Sequence, residues 1–212
     1  MPKMDPRLIT IALDTKGFMP PKEGAALYEY AYKSQEMALG PLVEIGSYCG
    51  KSTVYLGASA LETGRVLFSV DHHRGSEENQ AGWEHHDPSL VNPATNRIDT
   101  LSLWRSTIES ANLEHCVIAI VGESGTVADN WSTPISFLFI DGGHGSEPAW
   151  TDYNKWTPHV ANRGLMAIHD VFEDPKDGGR PPFEIYLEAT RSGNFVEIGR
   201  EGSLRILQKT QP

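Results

Sequence analysis

The chain is expected to adopt an α/β fold: a parallel sheet with helices between its strands, closed by an antiparallel hairpin. Three observations point there. Short apolar segments alternate with segments of helical period, the apolar segments break off at Gly, Asp, Glu or His, and the last two flank Gly199-Arg200-Glu201-Gly202 as a hairpin would.

Taken in order, residues 23–39 bring Ala26, Leu27, Tyr30, Ala31, Met37 and Ala38 near helical spacing and stop at Gly40-Pro41, which predicts an amphipathic helix. Residues 42–45 then form a strand that runs into Gly46-Ser47-Tyr48-Cys49-Gly50, and residues 51–61 continue as a helix. A second strand, 66–70, ends at Asp71. The polar stretch 72–96 is too long for an ordinary connection and reads as a lid or a substrate-binding excursion. Helical period returns over 99–111 through Leu101, Trp104 and Ile108. Strands follow at 117–121, 135–140 and 164–168, ending at Gly122-Glu123-Ser124, Asp141 and His169-Asp170, and the hairpin joins 195–198 to 204–207. Trp104 and Trp156 are expected in the core.

The 212 residues suit one domain, expected to include an N-terminal helical segment over about 1–40 and a lid-like insertion over about 72–98. Eighteen Lys and Arg stand against 28 Asp and Glu, a formal charge of −10 that disfavours nucleic acid as a partner. The longest apolar runs are strand-sized, so no membrane partner is expected. Residues 1–7 lead into no apolar signal region, and the two cysteines form no C-x-x-C pair; both point to the cytoplasm.

In open α/β sheets, ligands gather at the carboxyl ends of the strands. Gly46 and Gly50 let a ligand approach the backbone, but the phosphate-loop pattern fails by one residue, because Ile45 stands where its first glycine belongs. Asp71 lies 25 residues beyond Gly46 and is placed to accept both hydroxyls of a ribose. A dinucleotide oxidoreductase shares that feature yet needs G-x-G-x-x-G, which is absent. A binding protein without turnover is the non-enzyme alternative. Asp141 and Asp170, with histidines nearby, suggest an oxygen-rich site for a divalent cation, against the alternative of helix-capping turns. His144 is a candidate general base or an exposed loop histidine. His72, His73, His85 and His86 suggest zinc by composition, but a solvated lid accounts for them better. Trp83 is a candidate aromatic platform or a lid-packing residue.

The run Glu44-Ile45-Gly46-Ser47-Tyr48-Cys49-Gly50-Lys51-Ser52, followed by Val70-Asp71, Val121-Gly122-Glu123-Ser124, Ile140-Asp141-Gly142-Gly143-His144 and Ile168-His169-Asp170, resembles the class I S-adenosylmethionine-dependent O-methyltransferases, especially the catechol type. The resemblance implies a Rossmann-like three-layer sandwich with a seven-stranded, mostly parallel sheet. It implies a cofactor set of Glu44, Gly46, Tyr48, Ser52, Asp71, His72, Gly122, Glu123, Ser124 and Asp141, with the methionine end near Gly46, the ribose on Asp71 and the adenine near Gly122 to Ser124. It further implies Mg²⁺ or another divalent cation such as Mn²⁺ at Asp141, His169 and Asp170. His169 stands where a carboxylate or amide is expected, so orienting Asp170 is its alternative role. The catechol type has a lysine base where this chain has His144, whereas Asp-x-x-His resembles the metal-dependent sugar O-methyltransferases of macrolide assembly. Motif order and size are also similar to the 1-O-methylating enzymes of methylmannose polysaccharide synthesis. The acceptor implied is a sugar or related polyhydroxylated small molecule, with a catechol-like compound as the alternative; a second copy of the chain remains open as a partner.

Overall fold

In the computed structural model, which describes residues 3–143, 145–174 and 176–210, strands β1 (Leu42–Ile45) and β6 (Ile135–Ile140) are buried at every position. Apart from Glu44 and Ser136 their residues are all apolar, because helices cover both faces of the sheet. Strands β2 (Leu67–Asp71), β5 (Val117–Val121), β6 and β7 (Val160–Ile168) run parallel to β1, whereas β9 (Leu204–Lys209) lies antiparallel between β7 and β8 (Phe195–Glu201). The order is β5-β2-β1-β6-β7-β9-β8, the seven-stranded sheet with an antiparallel hairpin at its C-terminal end.

Alternation along β6 divides the core. Phe137 and Phe139 join one apolar cluster with Leu27, Leu56 and Ile108, while Leu138 and Ile140 join the other with Trp156 and Ile185. The first layer is built by α1 (Pro6–Asp14), α2 (Pro21–Lys33), α3 (Lys51–Thr63) and α4 (Leu101–Ala111). The second is built by α5 (Ser124–Ala128), α6 (Ser146–Trp156) and α7 (Arg180–Arg191). Trp104 and Trp156 are buried, as expected.

Several boundaries differ from the sequence expectation. Helix α1 lies inside the helical segment expected over about 1–40 but was not delimited there, although Asp5 caps it by accepting the Arg7 N–H, Pro6 occupies its first position, and Leu8 and Ala12 give it an inward face. Helix α2 ends at Lys33 rather than 39. There Ser34 Oγ donates to the Ala31 carbonyl and Arg65 donates to the same oxygen, diverting the chain into a 3₁₀ turn, Ser34–Glu36. Strand β7 begins at Val160, four residues early, through a register shift against β6 between Ile135 and Phe137. The excursion after β2 is ordered by two 3₁₀ turns and by a short antiparallel pair, β3 (Val91–Asn92) and β4 (Arg97–Ile98). No helix among the described residues is long and apolar enough to cross a membrane.

Phe137 is fully buried at the centre of β6. Phe137→Ala should cost about 3–5 kcal/mol of stability, seen in urea unfolding as a lower midpoint at unchanged slope.

Candidate active site

The turn after β1 is shaped by what its backbone must avoid. Gly46 sits at φ +83°, and a Cβ there would meet the Asp141 carbonyl at 2.2 Å, so only glycine lets β1 and β6 end side by side. Tyr48 is also left-handed, at φ +49°, a strained position for a large side chain. Asp71 Oδ2, at the end of β2, holds this turn by accepting the N–H groups of Ser47 and Tyr48, both at 2.9 Å. Its Oδ1 accepts the His73 N–H at 2.6 Å, which leaves that oxygen one further acceptor position. Asp71 therefore reaches the cavity while bracing the loop, a role the sequence reading did not assign to it.

Glu44 stands behind the same turn. It is fully buried, with Oε1 accepting from Ser52 Oγ at 2.6 Å and Oε2 from Thr53 Oγ1 at 2.7 Å and Ser69 Oγ at 2.8 Å. Burial pushes its pKa up to about 7 in spite of these donors. It lies off the cavity wall and fastens β1 to α3 and β2.

Across the cavity, β6 ends at Asp141 and β7 at His169-Asp170. Asp141, His169 and Asp170 each offer one ligand atom within 4.8 Å of the others, and among the described residues no other group of three or more His, Cys, Asp or Glu side chains converges this way. The histidines of the excursion form no such group: His73 is buried against Thr100 Oγ1 at 2.8 Å, and His86 Nδ1 lies 2.9 Å from the Asn79 carbonyl. Both carboxylates are partly exposed and suit a hard cation. The His169 ring is 3% exposed, with Nε2 2.7 Å from Glu23 Oε2 and Nδ1 3.2 Å from Asp141 Oδ1. Burial alone would lower its pKa, but the charge of Asp141 and hydrogen bonds to Asp141, Asp170 and Glu23 outweigh burial and hold the ring well above its ordinary value. The group that could hold a divalent cation is thus Asp141, His169 and Asp170, with the two aspartates supplying the oxygens a hard cation prefers and His169 Nδ1 turned toward both.

These two sides face one cavity of about 680 Å³ at the carboxyl ends of the parallel strands. Gly46, Tyr48, Ser52, Asp71, His72, Asp141, His169 and Asp170 all line it. Gly122, Glu123 and Ser124 lie one strand further out, off the lining. Ser124 donates instead to Asp152, whose pKa burial pushes up to about 6, and accepts from Trp156 Nε1 at 2.8 Å. His144 lies outside the described residues. Contributors the sequence reading missed come from the segment before α2: Lys16 and Phe18 line the cavity, with Lys16 paired to Asp87 and Phe18 set 4.7 Å from the His85 ring. Trp83, half exposed, stands on the same wall. Nothing in the local pattern of Lys16 and Phe18 marks them, since only the folded chain brings them to the excursion.

Residues 43–171 match the family model described as a methyltransferase domain. Among solved structures, the O-methyltransferase NovP superposes with a TM-score of 0.68 at 15% identity, covering 92% of this chain and 84% of that one. The O-methyltransferase from Bacillus cereus, solved in complex with SAH, gives 0.65 at 17% identity over 100% and 93%. Cofactor-bound Rv0187 from MTB gives 0.69 at 13% identity over 98% and 92%. At these identities the likeness is one of fold.

Glu44 yields a pH-dependent prediction. With its pKa near 7 in the folded chain and near 4.5 unfolded, the native state binds the proton more tightly. Its contribution to stability is complete below about pH 4.5 and is lost as pH rises through 7, a difference of about 3 kcal/mol. Glu44→Gln should flatten this part of the profile, measured as urea midpoints between pH 4.5 and 8; an unchanged slope would contradict the assignment.

Proposed function

The chain belongs to the methyltransferase-domain family, and from that membership we propose that it transfers the methyl group of S-adenosylmethionine to a hydroxyl of a sugar or related polyhydroxylated small molecule, assisted by a divalent cation. The observation that carries this reading is the meeting, in one cavity, of the glycine turn braced by Asp71 with the Asp141 and Asp170 carboxylates. The most specific acceptor it names is the 1-hydroxyl of a methylated mannoside of the methylmannose polysaccharide type; a catechol-like hydroxyl is the alternative.

S-adenosylmethionine supplies an electrophilic methyl on a sulfonium, and a cation on the two aspartates would hold the acceptor hydroxyl and lower its pKa. The protein's own work is alignment. The Gly46 turn and Tyr48 form the wall for the methionine end, and Oδ1 of Asp71 has an acceptor position for a ribose hydroxyl. Asp141 and Asp170 fix the acceptor on the opposite wall, so that oxygen and methyl meet in line at about 3 Å. His144, three residues after Asp141, is assigned as the acceptor of the hydroxyl proton. Phe18 and Trp83 offer flat apolar faces for a ring, beside carboxylates able to accept sugar hydroxyls.

Calorimetry should detect S-adenosylhomocysteine binding with no heat from NAD, because the glycine turn lacks the dinucleotide pattern; the reverse result would overturn the reading. Turnover should stop on chelation with EDTA and return with Mg²⁺ or Mn²⁺. His144→Ala should lower kcat by about 10² or more while leaving S-adenosylhomocysteine affinity intact, and a variant within threefold of wild type would remove His144 from the mechanism.

A further inference from the structure

We propose that Glu23, in the first turn of α2, is a positioning residue for the carboxylate pair: acting through the His169 ring, it fixes where Asp141 and Asp170 point into the cavity. The inference rests on the proposed role of those aspartates as cation ligands. Glu23 is separated from His169 by 146 residues and from Ser203 by 180, yet it is 5% exposed and its side chain is spent on these two residues. Oε2 lies 2.7 Å from His169 Nε2, and Oε1 accepts the Ser203 N–H at 2.8 Å. On the far side of the ring, Nδ1 lies 3.2 Å from Asp141 Oδ1 and 3.3 Å from Asp170 Oδ2. Ser203 closes the circuit, with its hydroxyl 3.4 Å from Asp170 Oδ1 and its carbonyl accepting the Val171 N–H at 3.0 Å.

Three features set this apart from ordinary helix packing. The other buried positions of α2, Gly24, Leu27, Tyr28 and Ala31, carry no charge, and a buried carboxylate among them is costly unless its oxygens are paired. The β8–β9 turn is built against this carboxylate: Gly202 sits at φ +51°, and a Cβ there would lie 2.1 Å from Glu23 Oε1. Asp170 itself is left-handed, at φ +53°, a strained backbone that surrounding contacts must hold. An imidazole gripped at Nε2 cannot turn, so its Nδ1 stays aimed at both aspartates. Groups that orient ligands from behind in this way typically change cation affinity 10–100-fold when replaced.

The test measures Mn²⁺ binding to the whole enzyme by calorimetry, alongside S-adenosylhomocysteine affinity and melting temperature, in Glu23→Gln and Glu23→Ala. The amide keeps the shape of Glu23 but has one acceptor oxygen where two are used, so Glu23→Gln carries the test if Glu23→Ala fails to fold. The expected result is a Mn²⁺ dissociation constant raised about tenfold or more, with S-adenosylhomocysteine affinity within twofold of wild type. A Glu23→Gln enzyme that melts earlier but binds Mn²⁺ like wild type would overturn the proposal, leaving Glu23 as a clasp for the hairpin. Wild-type enzyme that binds no Mn²⁺ would instead sink the cation reading. In that case the ring ¹⁵N signals of His169 decide: displaced signals in Glu23→Gln uphold the positioning role, and unchanged ones reject it.

Discussion

The Asp71 carboxylate is the contact on which the geometry of the cavity depends. A parallel sheet delivers its strand ends to one edge but leaves the turns there free to take many paths. Here one carboxylate at the end of β2 takes the Ser47 and Tyr48 N–H groups from the neighbouring turn and the His73 N–H from its own. Charge-assisted bonds of this kind are roughly twice as strong as neutral ones, and they fix the left-handed Tyr48 and His73 backbones on either side. Behind the turn, Glu44 binds hydroxyls from α3 and β2, so the β1 end is held from front and back. Rigid placement of this kind is what alignment between a methyl donor and an acceptor oxygen requires.

The opposite wall is held differently. Asp141 and Asp170 leave adjacent parallel strands, and the His169 ring between them is backed by an acid from a helix far away in sequence. The same buried side chain, Glu23, accepts from the β8–β9 turn, so the antiparallel hairpin is part of the support for the cavity floor. This gives the C-terminal hairpin a physical role beyond covering the edge of β7. The Lys16 contact with Asp87 similarly ties the segment before α2 to the excursion after β2.

What was legible in the sequence follows from what is local. Strand ends announce themselves by an apolar run that stops at Asp or Gly, so β5 and β6 were located to the residue, and Asp71, Asp141 and Asp170 were placed at one sheet edge. Helix α1 was not delimited within the N-terminal helical segment, although its Asp5-Pro6 start is a recognisable capping signal, because nine residues give a weaker periodic pattern than the longer run after Glu23. The end of α2 depends on Arg65 reaching back to Ala31, and no pattern within the helix encodes that contact. Glu23 itself appeared only as a helix residue; its partners lie 146 and 180 positions away, and a single sequence carries no signal that joins them. Asp71 shows the subtler gap, since its position was read correctly while the bonds to Ser47 and Tyr48 become visible only once the turn is folded.

Charge around the cavity favours one kind of ligand over others. Its lining carries Asp71, Glu78, Glu84, Asp141, Asp170 and Asp177 against Lys16, Lys51 and Lys176, and Lys16 is already paired with Asp87. A polyphosphate would meet repulsion from both walls, with no glycine loop in the phosphate-binding register to offset it. A sulfonium-bearing cofactor brings positive charge to the carboxylate side, where the His169 ring already stands between Asp141 and Asp170. An uncharged acceptor adds no charge repulsion of its own in such a cavity. The excess of acid in the sequence is gathered, at this one edge of the sheet, around the cavity, where it complements a cationic methyl donor.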